Sequence, residues 1–124
     1  ADLVKHVTLQ SYACAALAAI CAGTGAKAND RRVMAGRGGA VQAIVNAMAA
    51  CGGDVSVARE AFRALGQLCI MPSSAQSRKT GIADHDGPKR KAALFEAGGV
   101  ELVVQLMALY GEDAVVLEQG CLLL

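Results

Sequence analysis

The chain has 124 residues, room for one small domain, and 54% of them are hydrophobic while only 3% are aromatic and none is Trp. Its core must therefore come from Ala, Val and Leu, small side chains that suit closely packed helices. A formal net charge of +1 offers neither the basic footprint of a nucleic-acid binder nor an acidic tail. The longest apolar stretch, Tyr12 to Ala22, falls well short of the roughly 20 residues that cross a bilayer, so membrane insertion is not expected.

In chain order, an Ala-rich helix is expected over about residues 3 to 22, closed by the glycines at Gly23 and Gly25. A short helix from Asn29 to Ala35 follows, with Asn29 or Asp30 as its cap, because a short polar side chain can accept the first free backbone N–H. Gly38-Gly39 turns the chain into a helix from Ala40 to Cys51. Gly52-Gly53-Asp54 ends that helix and caps the next, which runs to about Ile70. Met71 to Gly87 reads as a polar loop, and a second short helix starts near Pro88, a residue suited to a first helical turn. Gly98-Gly99 leads into a helix reaching Tyr110, and Gly111-Glu112-Asp113 starts a last helix running to Leu124. No alternating strand pattern is present. The chain opens at Ala1 and stops in an uncapped apolar run, which reads as a segment of a longer protein.

The chain repeats itself. When Gly39 is laid over Gly98, apolar residues coincide at Val41/Val100, Ile44/Val103, Val45/Val104 and Met48/Met107, and the same register pairs Asp54 with Asp113 and Val57 with Val116. When Leu9 is laid over Val57, Ala13/Ala61, Ala16/Ala64, Leu17/Leu65, Ile20/Leu68 and Cys21/Cys69 coincide at helical spacing.

The run Glu96-Ala97-Gly98-Gly99-Val100-Glu101-Leu102-Val103-Val104-Gln105-Leu106-Met107 resembles the "EAGGIPxLVxLL" passage of the armadillo repeat family, and Ala61-Phe62-Arg63-Ala64-Leu65-Gly66-Gln67-Leu68 resembles its "AxWALxNL" third helix. The resemblance covers nearly all of the chain. It implies an all-α fold, a right-handed α-solenoid of armadillo-like three-helix repeats. Residues 1–28 would hold the third helix of a preceding repeat, 29–71 a complete repeat, 72–88 an inserted polar loop and 89–124 a partial repeat. Armadillo repeats run to roughly 40–47 residues, so the longer offsets here imply insertions. In the family, stacked third helices line a concave groove that binds extended peptides or partner proteins. Carried onto this chain, the groove columns are Ser11, Ala15 and Ala19, then Arg59, Arg63 and Gln67, then Glu118 and Leu122. Where import receptors of the family place Trp and Asn, this chain has Arg63 and Gln67, so binding of nuclear-localisation signals is not implied.

The implied function is that of an intracellular protein-interaction scaffold, in the cytoplasm with the nucleus or cilium as alternative settings, with neighbouring repeats as its other contacts. The alternative is a structural or regulatory segment of a larger cytoskeletal, ciliary or signalling assembly. No catalytic residues, cofactor or metal are expected: GxSxG, HExxH and P-loop patterns are missing, and Gly36-Arg37-Gly38-Gly39 follows a helix rather than a strand. Five cysteines, Cys14, Cys21, Cys51, Cys69 and Cys121, read as reduced, buried small hydrophobes. Pro88-Lys89-Arg90-Lys91 reads as exposed cations at a helix start, with a basic import signal as the rival reading. Ser73, Ser74 and Ser77 beside Arg78-Lys79-Thr80 would suit phosphorylation, and Asp84-His85-Asp86 is a weak metal candidate because adjacent side chains diverge.

Overall fold

A computed structural model describes residues 5–69 and 86–124. The expected Met71–Gly87 loop, with its serines and with Asp84 and His85, lies almost wholly outside the described residues.

The described residues form seven α-helices and no strand. They are α1 (Val7–Cys21), α2 (Ala26–Arg37), α3 (Ala40–Cys51), α4 (Val55–Cys69), α5 (Gly87–Glu96), α6 (Gly99–Leu109) and α7 (Ala114–Leu123). The protein is thus all-α. Most boundaries fall where Gly and Asp punctuate the sequence. Gly39 and Gly98 each sit one residue before a helix, at φ of +87° and +77°, a left-handed conformation that costs a side-chain-bearing residue energy. Asp113 caps α7 by accepting the Val116 N–H at 3.0 Å, and Asp54 accepts the Ser56 N–H at 2.8 Å at the start of α4.

Two ends differ from expectation. α2 begins at Ala26, before Asn29, with Gly25 as its cap and no side-chain cap bond; Asn29 lies inside the helix, its N–H bonded to the Gly25 carbonyl at 3.0 Å. The strong helix formers Ala26, Lys27 and Ala28 extend the helix past the apparent cap. The start of α1 is capped by His6, whose Nδ1 accepts the Leu9 N–H at 3.2 Å, a role the sequence reading did not assign.

α4 is the centre of the molecule. Nine of its fifteen residues are buried, and it packs against α1, α3, α5 and α7. Phe62, Leu65 and Leu68 from α4 meet Ile44 and Met48 from α3, Val103 from α6 and Val116 from α7 in one core. Its polar residues Ser56, Arg59, Glu60, Arg63 and Gln67 recur at three- and four-residue spacing and make the opposite stripe. α1, α4 and α7 lie side by side, α4 between the other two, while α3 contacts α6.

Candidate partner-binding surface

The stripe on α4 carries the three residues expected there, but two of them are engaged within the chain. Arg59 donates from Nε to Asp113 Oδ2 at 2.9 Å, with a second guanidinium contact to the same oxygen. This ties α4 to the first turn of α7. Arg63 donates to Glu60 Oε1 at 3.1 Å, one turn back on its own helix. Both arginine side chains stay near half exposed, at 44% and 48%. Gln67 is half-buried. On α1, Ser11 and Ala15 are half-buried and Ala19 is exposed; on α7, Glu118 and Leu122 are exposed.

Asp113 does two things at once. One carboxylate oxygen caps α7 and the other takes the Arg59 guanidinium. The Arg59 bond, followed by the Val116 N–H, holds its carboxyl below the usual carboxylate value, and the same bond raises Arg59. The recurrence of Asp54 and Asp113 was visible in the sequence as a pair of residues at equivalent helix starts. The partnership with Arg59 was not, because it depends on α7 packing beside α4.

At the equivalent place one helix earlier, Ser11 stands where Arg59 does, and Asp54 where Asp113 does. A cleft of about 260 Å³ remains there, lined by Val7, Thr8, Ser11, Tyr12, Asp54 and Ser56. Tyr12 is 71% exposed at its edge. Neither Tyr12 nor Asp54 was singled out from the sequence as a binding residue.

Arginines also hold the far ends of α1 and α4. Arg31 Nε donates to the Ile20 carbonyl at 2.6 Å, and Arg32 donates to Cys21 and Gly23 carbonyls at 3.0 and 2.8 Å. Arg90 Nε donates to the Leu68 carbonyl, the position equivalent to Ile20. Each guanidinium satisfies carbonyls that a helix C-terminus leaves open and offsets its negative dipole end. This corrects the expectation for Pro88-Lys89-Arg90-Lys91: Lys89 and Lys91 are exposed, but Arg90 is 3% exposed and belongs to the packing. Comparison with protein-family models, curated proteins and solved structures finds no match.

The thiols divide. None of the five cysteines is in a disulfide; four are buried, and Cys121 is exposed, contrary to expectation, because α7 has no helix beyond it among the described residues. Burial pushes Cys14 and Cys69 up to about 11, and raises Cys21 as well. These thiols stay protonated near neutral pH, which does not suit a nucleophile. Asp86, the described member of the Asp84-His85-Asp86 trio, accepts from Arg37 Nε at 2.9 Å, which holds its carboxyl below the usual value.

Proposed function

We propose that this chain is part of a right-handed armadillo-type α-solenoid that works as a protein-interaction scaffold. It binds partner proteins or extended peptides along the surface of α1, α4 and α7, and it performs no chemistry of its own and needs no cofactor. The observation that carries the reading is the recurrence of terminal devices on these helices. Each starts on a side-chain cap region at an equivalent position, His6, Asp54 and Asp113. α1 and α4 each end with an arginine on an equivalent carbonyl, Ile20 and Leu68. Recurrent anchoring at both ends favours stacked copies of one unit, and stacked units leave a long continuous surface for recognition. The available groove residues on this reading are Ser11, Ala15, Ala19, Arg63, Gln67, Glu118 and Leu122, with Arg59 bracing the junction beneath a partner.

The reduced thiols fit an intracellular, cytoplasmic setting. No single helix among the described residues is long and apolar enough to cross a membrane. A second reading, a structural or regulatory segment of a larger assembly, is favoured by the exposed apolar ends. Val104 on α6 is 51% exposed whereas its equivalent Val45 is 3% exposed. Further repeats would cover such a face.

The test is selection of peptides from a displayed library on the folded chain, with bound peptides mapped by NMR. Shift changes along α1, α4 and α7 that Arg63→Glu weakens are the expected result. Selected peptides that map only to α2 and α5, or an empty selection, contradict the groove reading.

A further inference from the structure

The two junctions between neighbouring third helices share a capping Asp and differ most at one residue. Between α4 and α7, Arg59 reaches from one helix into the first turn of the next and bonds the capping carboxylate of Asp113. Between α1 and α4, three lining positions correspond, Val7 to Val55, Thr8 to Ser56 and Asp54 to Asp113, while Tyr12 and Ser56 stand where the other junction has Glu60 and Val115. Ser11 replaces Arg59, and its side chain is too short to fill the space. What remains is the cleft of about 260 Å³, with the Asp54 carboxylate on its wall. The Ser56 N–H takes one of the Asp54 oxygens, at Oδ1. A carboxylate has acceptor sites for more than one donor, so Oδ2 can still accept a charge-assisted bond.

The geometry points to this cleft as a binding site for a cationic side chain of a protein partner, an arginine guanidinium, seated between Asp54 and the ring of Tyr12 as Arg59 is seated on Asp113. The chain supplies its own precedent for the occupant. At one junction the guanidinium comes from within, and at the other it would come from outside. Tyr12 adds an exposed aromatic ring at the rim, where a guanidinium can also stack. Tyr12 stands where α4 has Glu60, the residue that engages Arg63. The site deepens the scaffold reading and rests on its equivalence of junctions; it specifies that a bound segment should carry an arginine over the α1–α4 junction.

The probe is an acetylated, amidated Ala-Ala-Arg-Ala-Ala peptide titrated into the isotopically labelled chain, beside a norleucine counterpart. Amides of Ser11, Tyr12, Asp54 and Ser56 should shift with the arginine peptide and not with norleucine. Asp54→Asn keeps a competent cap and removes the charge, so the fold persists while affinity falls by about tenfold or more. Ser11→Arg should abolish binding by filling the cleft from within. Its introduced guanidinium should show a slowly exchanging Nε–H that Asp54→Asn removes. Shifts scattered evenly over Asp30, Glu96, Glu101 and Glu112, or an affinity unchanged by Asp54→Asn, overturn the site. The Arg59 Nε–H serves as the internal reference. If Asp113→Asn releases it but the probe does not bind, the site alone fails; if Asp113→Asn leaves it unchanged, the α4–α7 junction and the repeat reading fail with it.

Discussion

A few side chains tie the helices together through specific polar bonds, and each gives a measurable consequence. The Tyr110 hydroxyl donates to the Gly52 carbonyl at 2.6 Å, joining the end of α6 to the turn after α3. Tyr110→Phe removes one partly buried hydrogen bond and leaves the ring, so urea denaturation should show a loss of about 1 kcal/mol. Asp113 makes stability depend on acid. Its folded value lies below the ordinary 3.8 because of Arg59 and then the α7 backbone. The unfolded chain therefore takes up the proton first. The stabilisation is complete above the unfolded value and is lost as pH falls through the folded one. Asp113→Asn keeps the cap, so its denaturation midpoint should fall less than the wild type's between neutral pH and the acid range. Asp86, held low by Arg37, keeps some acid dependence in both. The thiols should resist alkylation in the folded state at Cys14 and Cys69, where burial holds them near 11, while exposed Cys121 reacts; mass spectrometry after a short alkylation pulse reads the difference.

Among the elements, the turns before α3 and α6 are the sharpest test of sequence-encoded geometry. A Cβ at Gly39 or Gly98 would meet nothing within 4 Å, so only backbone strain opposes a side chain there. Gly39→Ala and Gly98→Ala should each cost about 1–2 kcal/mol in chemical denaturation, with the fold retained. These turns were legible from the sequence because left-handed backbone selects Gly locally, and so were the helices that follow them, whose apolar spacing is a local signal. α2 was harder, since Asn29 and Asp30 look like caps wherever they stand, and only Gly25 with the helix formers after it decides the start. The proposed binding surface was legible as a set of positions and not as a set of contacts. Arg59 meets a residue 54 positions away and Arg90 one 22 positions away, so their partners depend on how helices pack. An arginine inside a basic run looks solvated until a helix end is brought to it. Cys121 was misjudged for the mirror reason: apolar neighbours in sequence do not supply a covering helix.

For the whole molecule, equivalent positions differ in burial according to what lies beyond them. Leu68 on α4 is fully buried, whereas Ile20, its counterpart on α1, is 48% exposed; Leu65 is fully buried, whereas Leu124 is 65% exposed. α4 lies between α1 and α7, whereas among the described residues no helix flanks α1 or α7 on its far side. Val104→Glu should therefore change unfolding free energy by no more than about 0.5 kcal/mol, while Val45→Glu, at the same repeat position, should prevent cooperative folding. An experimental structure of residues 1–124, with α1 superposed on α4 and α4 on α7, tests the repeat arrangement most directly. A shared rotation and translation relating both pairs, with Arg59 bonded to Asp113, is the predicted result. Two unrelated transformations, or α7 packed away from α4, would contradict the stacked repeat and the binding surface that rests on it.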